Sequence, residues 1–264
     1  MRIIRFLDAT GAERFGERVD AFTARIIDGD IFGSYRVSPN SAKISKILAP
    51  IAPRAILCIG LNYRKHAEET SAKIPEHPIL FIKQPAAVQN PGDPIVIPRI
   101  ESEPDYECEL AVVIKTAAKN VAREQALAHV LGYTCANDVS GRSWQIKKGG
   151  SQWCRGKSFD TFCPLGPEIV TPDEIPNPNA LKIKTHLNGE TVQDWTTSDM
   201  IFDVPTLISF LSQSTTLLPG TVILTGTPQG VGMARKPQLF LKPGDRVVIE
   251  IEKIGRLENP VVGE

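Results

Sequence analysis

Asp105-Tyr106-Glu107-Cys108-Glu109-Leu110-Ala111-Val112-Val113-Ile114 places two glutamates at the mouth of an apolar, β-branched run. Leu110 to Ile114 has the composition of a strand. Side chains alternate along a strand, so Glu107 and Glu109 share a face with Ala111 and Val113. Cys108, Leu110 and Val112 take the other face. Both faces are apolar just downstream, as in a strand covered on both sides. Two carboxylates ~7 Å apart on one such face repel each other and resist desolvation. A hard divalent cation relieves both problems, and oxygen-only ligands favour Mg²⁺, Ca²⁺ or Mn²⁺ over zinc. The alternative is a pair of glutamates at the solvated start of an edge strand.

The chain around this stretch has 264 residues, enough for one large domain or one domain with a small appendage. Lys+Arg and Asp+Glu balance at 30 each, so no basic stripe argues for nucleic acid. A hydrophobic fraction of 42% supplies a core, and no apolar run reaches the length of a membrane span. Met1 to Asp8 lacks the apolar centre of a signal peptide. The five cysteines (Cys58, Cys108, Cys135, Cys154, Cys163) form no C-x-x-C pair. Reduced thiols in a cytoplasmic protein are the expectation.

Residues 1–52 read as a small N-terminal domain and 53–264 as the catalytic body. Arg2 to Leu7 is a strand followed by an Asp8-Ala9-Thr10-Gly11 turn. Pro50 and Pro53 bracket the entry to the main body. Ala55 to Gly60 is a buried strand, and Asn62 to Glu69 a short polar helical stretch. Thr70 to Pro78 is polar and proline-punctuated, with the character of a surface lid. Ile79 to Lys83 and Pro94 to Pro98 are further strands. Arg123 to Leu131 is expected to be a helix that Gly132 ends. Tyr133 to Ala136 leads to Asn137-Asp138, and Ser140 or Asp138 can cap the segment Arg142 to Lys148. Trp153 to Pro167 reads as loop-rich. Leu181 to Leu187 alternates and meets Asn188-Gly189, a hairpin turn signal. Asp203 caps a helix with Pro205 in its first turn. Thr221 to Thr225, Leu239 to Leu241 and Arg246 to Ile251 complete the strands. Helices do not alternate regularly with strands, which disfavours a doubly wound sheet and points to a β-rich α+β body.

Several residues outside the opening stretch carry chemistry. Asp138 follows a strand and offers a third carboxylate to Glu107 and Glu109, or else an N-cap to the next helix. His66 and Glu69, spaced i, i+3, share a helix face, and a His oriented by a carboxylate can activate water. Solvated charge on a surface helix is the plainer account of that pair. Lys157, set between glycine and aromatics, can face an anionic substrate or simply stand in a surface loop. Thr225-Gly226-Thr227-Pro228-Gln229-Gly230-Val231-Gly232 lacks the Gly-Lys-Ser/Thr of a phosphate loop. Its free N–H groups and threonine hydroxyls suit a carboxylate. Arg142 and Gln145, on one helix face, offer the same.

Together these residues resemble the fumarylacetoacetate hydrolase superfamily. The likeness runs from Gly60-Leu61-Asn62-Tyr63-x-x-His66-x-x-Glu69 through Glu107-x-Glu109-Leu110-Ala111-Val112-Val113-Ile114 and Asn137-Asp138-Val139-Ser140-x-Arg142-x-x-Gln145. It continues with Gly156-Lys157-Ser158-Phe159-Asp160, Asn188-Gly189-Glu190 and Leu224-Thr225-Gly226-Thr227-Pro228-x-Gly230-Val231-Gly232. The small members built on this domain, which share Asp160-Thr161-Phe162-Cys163-Pro164-Leu165-Gly166-Pro167, are the nearest in pattern. The resemblance implies a mixed β-sandwich roll, a small N-terminal domain and a homodimer. It implies Mg²⁺, or Mn²⁺ or Ca²⁺, on Glu107, Glu109 and Asp138. Lys157 and Gln145 would line the substrate site, and Thr227, beside Gly226, would contact a substrate carboxylate. His66 and Glu69 match the lid dyad with which some members activate water. Leu61 stands where several members carry Arg, which removes one substrate contact.

The expected activity is metal-dependent hydrolysis of the carbon–carbon bond of acylpyruvate-type β-diketo acids. An alternative keeps the same enolate and changes its fate. It gives oxaloacetate tautomerisation or decarboxylation, or isomerisation of a 2-hydroxyhepta-2,4-diene-1,7-dioate type of acid. A non-catalytic module binding metal and a 2-oxo acid is the third reading.

Overall fold

The computed structural model describes residues 1–264. Strand Cys108–Ile114 sits inside the larger sheet, and all of its residues are buried. Val130–Asn137 and Thr221–Leu224 flank it, both antiparallel. Leu110, Val112 and Ile114 pack into one apolar core, while Ala111 and Val113 pack into another. The strand is therefore covered on both faces, and the solvated-edge alternative for the two glutamates falls away.

The larger sheet has eleven strands and mixed direction. From the central strand it runs one way through Val130–Asn137, Cys163–Val170 and Arg2–Asp8 to the N-terminal strands. The other way it runs through Thr221–Leu224 and the parallel Ala55–Gly60 to an edge at Ile79–Lys83. A second, five-stranded sheet holds Glu190–Thr196, Lys182–Leu187, Arg246–Ile251, Gly255–Gly263 and Ile95–Ile97. Ile183, Ile249 and Leu257 from this sheet share a core with Leu110 and Val112. Helices are few and short, so the architecture is the β-rich α+β, mixed β-sandwich roll expected.

The first strands, Arg2–Asp8, Glu13–Arg18, Thr23–Gly29 and Tyr35–Leu48, pair antiparallel around a small core of Ile4, Phe6 and Ala24. Arg2 and Ile3 pair with Val170 and Ile169, so these strands continue the main sheet. Ile3 itself belongs to the core that holds Ala111 and Val113. Asn188 and Gly189 both take positive φ and close the hairpin between Lys182–Leu187 and Glu190–Thr196. Asp203 caps helix Val204–Leu211 by accepting from Thr206 N at 2.9 Å.

Three local expectations need correction. Arg123 to Leu131 is not an α-helix: 3₁₀ turns span Arg123–His129, and strand Val130–Asn137 begins at once. The sheet captures the apolar Val130-Leu131 step against the local helix preference, a tertiary override of propensity. Gly132 then lies inside the strand, where an added Cβ would sit 2.4 Å from Val170 O. Gly132→Ala is expected to cost about 1–3 kcal/mol through this overpacking, read by urea unfolding; an unchanged midpoint would refute the close approach. Leu239 to Leu241 forms no strand, because the Leu239 and Leu241 N–H groups donate to Gly232 O and Pro104 O in loops. The stretch Trp153 to Pro167 is more regular than expected, holding helix Cys154–Lys157 and the start of strand Cys163–Val170.

Candidate active site

The sheet register builds the acidic cluster. Cys108 pairs with Asn137, so the residue after Asn137 falls beside Glu107. Asp138 N donates to Glu107 O at 2.9 Å, and Glu107 N donates to Asn137 Oδ1 at 3.1 Å. Thus residues far apart in sequence become neighbours through one antiparallel ladder. Ligand oxygens of Glu107, Glu109 and Asp138 lie within 4.8 Å of one another, and all three side chains are buried. Asp138 caps no helix: the wide turn Ser143–Lys148 has no side-chain cap, and both Asp138 oxygens are engaged elsewhere.

Buried cations hold these carboxylates. Lys157 Nζ donates to Glu107 Oε2 at 2.8 Å and to Asp138 Oδ2 at 2.7 Å. Lys83 Nζ donates to Asp138 Oδ1 at 2.6 Å and to Val139 O at 3.1 Å. Arg142 Nη2 lies 2.7 Å from Glu107 Oε1 and 2.9 Å from Asp105 Oδ2. Glu109 receives only the Gly226 amide, at 2.7 Å on Oε2. Burial raises the Glu107 pKa, but Lys157 and Arg142 outweigh it and hold the carboxyl well below its usual range. Burial works against the Lys157 charge too, yet Asp138 and Glu107 win and the ammonium is stabilised. At Glu109, burial followed by the Asp138 and Glu107 charges pushes the pKa well up. That shortage of positive charge at a buried, three-carboxylate oxygen site is what a hard divalent cation would correct, so the donor set fits one.

A cavity of about 280 Å³ opens onto this cluster. Glu107, Glu109, Lys157, Gln145, Thr227 and His66 give most of its polar wall, which Arg142 and Thr70 also line. Leu61, Ile79, Phe81, Ile146 and Trp153 give much of its apolar wall. Arg142 Nη1 donates to Gln145 Oε1 at 2.8 Å, which leaves the Gln145 amide N–H groups as its free donors. The Arg142 guanidinium is 4% exposed and spent on Asp105, Glu107 and Gln145, so it acts on the cavity through them. Gln193 Nε2 donates to Thr227 Oγ1 at 2.9 Å, which leaves the Thr227 hydroxyl proton to be donated elsewhere. Gly226 does not line the cavity, since its amide serves Glu109. It takes φ +95°, and a Cβ there would meet Asn62 Cβ at 2.8 Å.

The lid dyad is formed. His66 Nδ1 and Glu69 Oε1 are 2.8 Å apart on helix Arg64–Glu69. Gly230 N donates to both Glu69 oxygens, at 3.0 and 2.9 Å, so the helix end is fastened to the glycine-rich loop. The free ring nitrogen is then His66 Nε2, and His66 belongs to the cavity wall. Besides Gln193, two residues outside the expected set complete the surroundings. Lys83 is one. The other is Asp105, whose carboxylate accepts from Arg142 Nε and from the Gly232 and Met233 amides at 2.8–3.0 Å. The alternation that puts Glu107 and Glu109 on one face includes Asp105, and it was the signal available for it.

Known proteins resemble this chain in sequence and in fold. A family model described as Fumarylacetoacetate (FAA) hydrolase C-terminal matches residues 55–262. The oxaloacetate tautomerase of Xenopus laevis, named as mitochondrial, is 51% identical over 217 residues, covering 82% of this chain and 68% of that protein. Its human counterpart is 48% identical over 216 residues, covering 81% and 69%. Among solved structures, 5-carboxymethyl-2-hydroxymuconate delta-isomerase from Mycobacterium smegmatis superposes with a TM-score of 0.88 at 37% identity, covering 100% of both chains. A 2-hydroxyhepta-2,4-diene-1,7-dioate isomerase from Mycobacterium marinum gives 0.85 at 39% identity, covering 100% of this chain and 99% of that one. No helix of the structure is long and apolar enough to cross a membrane. With the family model covering the whole cavity-bearing body, and the motifs brought into one site, the chain belongs to the fumarylacetoacetate hydrolase family.

Proposed function

We propose that this protein is a divalent-metal-dependent tautomerase of oxaloacetate-type 2-oxo acids. One observation carries the reading: a buried, protonated Lys157 and the His66–Glu69 dyad meet in the same cavity as a three-carboxylate cluster. The names of relatives about half identical to this chain support it. A cation on Glu107, Glu109 and Asp138 would supply Lewis-acid polarisation of the 2-oxo group. The rest is done by the chain. Gln145 N–H groups and the Thr227 hydroxyl bind and orient the substrate carboxylate. His66 Nε2 takes a proton from C3, with Glu69 holding the imidazole in place. The negative charge passes to the C2 oxygen, where the Lys157 ammonium stabilises it. A proton delivered to that oxygen gives the enol, and one returned to C3 gives back the ketone.

The formed dyad also favours a second reading. With a water between His66 and a distal carbonyl, the same site would hydrolyse an acylpyruvate, the resulting enolate leaving against Lys157. The isomerase names of the structural neighbours fall within the enolate chemistry of the first reading. A homodimer is part of the proposal, supported by the sheet edge Ile79–Lys83, where Leu80 and Ile82 are about half exposed. So is a reducing compartment, supported by five free cysteines. A cytoplasmic placement is proposed here, while the relatives named above are mitochondrial by name.

Proton NMR in D₂O with Mg²⁺, alongside the ultraviolet decay of enol-oxaloacetate, tests the activity. Faster enol–keto conversion and C3 exchange without carbon loss, abolished by chelator, is the expected result. Release of acetate and pyruvate from acetylpyruvate would support the hydrolase reading instead. Silence with both substrates would leave the binding module.

A further inference from the structure

Each carboxylate of the acidic cluster has one oxygen held by a separate group, by a hydrogen bond at Asp138 and Glu109 and by an ion pair at Glu107. Lys83 Nζ holds Asp138 Oδ1 at 2.6 Å, Gly226 N holds Glu109 Oε2 at 2.7 Å, and Arg142 Nη2 lies 2.7 Å from Glu107 Oε1. Of the other three oxygens, Asp138 Oδ2 and Glu107 Oε2 share Lys157 Nζ, which faces the cavity, and Glu109 Oε1 has no donor. Lys83 is the least expected of the three donors. It ends the edge strand Ile79–Lys83, yet its side chain is 0% exposed, as is that of Asp138. Its second bond, to Val139 O, fixes the ammonium against the backbone next to Asp138.

We infer that Lys83 is a positioning residue that makes Asp138 a one-oxygen ligand and so sets which divalent ion the site prefers. The inference rests on the metal-dependent reading proposed above. Ca²⁺ takes six to eight oxygens and readily uses both oxygens of a carboxylate, whereas Mg²⁺ demands compact octahedral geometry and keeps several waters. Three carboxylates restricted to one oxygen each leave room for about three waters or substrate oxygens in an octahedron. They offer no bidentate carboxylate to the larger shell that Ca²⁺ prefers. The Gly226 amide and Arg142 impose the same restriction on Glu109 and Glu107. Gly226 cannot be varied without a clash with Asn62 Cβ at a strained positive φ, and Arg142 also orients Gln145. Lys83 does not line the cavity, which makes it the donor whose removal isolates the effect.

Calorimetric titration of the full chain with Mn²⁺, Mg²⁺ and Ca²⁺, with no substrate present, reads this directly. The wild type is expected to bind Mn²⁺ and Mg²⁺ more tightly than Ca²⁺. Lys83→Met removes a positive charge, which strengthens every divalent ion alike, so the informative quantity is the Mg²⁺/Ca²⁺ affinity ratio. That ratio is expected to fall about tenfold or more, the scale at which outer partners of metal ligands act. Water-proton relaxation of the Mn²⁺-loaded wild type gives a second reading that needs no variant, with about three exchangeable waters expected. Wild-type affinity for Ca²⁺ equal to that for Mg²⁺, or an unchanged ratio in a folded Lys83→Met protein, would overturn the inference. So would one exchangeable water or none, even if the variant fails to fold. Failure to bind any divalent ion would overturn the metal-dependent reading itself, a different result from binding without preference.

Discussion

Lys157→Met is expected to lower kcat for enol–keto conversion by about a thousandfold, the upper range for deleting one donor to a developing oxyanion. The residue lines the cavity, is 2% exposed, and carries a charge stabilised by Asp138 and Glu107. In the proposed mechanism a protonated ammonium there would stabilise an enolate oxygen, and it is unsuited to act as a base. The same substitution has a second consequence. It removes the cation bridging Glu107 Oε2 and Asp138 Oδ2 at 2.8 and 2.7 Å. Breaking a buried pair costs about 3–5 kcal/mol when the remaining charge is left alone. Lys83 and Arg142 still face those carboxylates, so the lower end, about 3 kcal/mol, applies. For a chain of this size that is a melting point lower by roughly 6–12 °C in chelator. Excess Mg²⁺ should narrow the gap, because carboxylates freed of the Lys157 ammonium bind the ion more tightly, and mass action then stabilises the variant more than the wild type. Scanning calorimetry with and without Mg²⁺ checks the second consequence, and stopped-flow enol decay checks the first. Near-normal kcat would remove Lys157 from the mechanism. An equal deficit with and without Mg²⁺ would separate its stabilising role from the metal site.

The acidic core of this site was legible because strand alternation and burial make a demanding combination. Glu107 and Glu109 precede a run of β-branched residues, and no apolar strand tolerates that pair without partners. The remainder was hidden for different reasons. Lys83 follows Ile79-Leu80-Phe81-Ile82 and looks like the solvated end of an edge strand. Its neighbours Leu80 and Ile82 are indeed about half exposed. Alternation nonetheless puts Lys83 on the face of buried Phe81, and only the tertiary position of Asp138 explains why a lysine is there. Gln193 was invisible as well: its amide reaches the glycine-rich loop from the second sheet, a contact no local pattern encodes. The missed strand beginning at Val130 has the same cause as the missed lysine. Val130 and Leu131 are buried by the sheet, and the local helix preference of Arg123 to Ala128 stops where that burial begins. Local sequence read well wherever a turn or cap acts alone, as at Asn188-Gly189 and Asp203.

His66→Ala is expected to reduce kcat by about a hundredfold to ten-thousandfold, the span of general acid–base contributions. The loss should appear with oxaloacetate and with acylpyruvates alike. Both reactions need a proton taken at the cavity, from C3 in one and from water in the other. Glu69→Gln separates positioning from proton transfer. Glu69 touches no cavity wall; it acts on His66 Nδ1 at 2.8 Å and on the Gly230 amide at 3.0 and 2.9 Å. A glutamine keeps one acceptor oxygen but loses the negative charge that steadies the imidazolium. Its kcat is expected to fall less than that of His66→Ala, by about tenfold to a hundredfold, with a rise in KM as the fastening to Gly230 weakens. Glu69→Ala removes both contacts, so its KM should rise further while kcat falls toward the His66→Ala level. Steady-state kinetics of the three variants, each loaded with the same metal, reads the order. If all three changed KM alone, the dyad would be a clasp for the lid and His66 would carry no proton. If His66→Ala lost acylpyruvate cleavage and kept oxaloacetate exchange, the imidazole would serve water alone, and tautomerisation would need another base at C3. Lys157 and Arg142 at the cavity wall are cations, and Glu107 and Glu109 belong to the acidic cluster, so neither pair replaces an imidazole as base. Loss of every activity the protein shows is therefore the outcome expected if His66 is the proposed base.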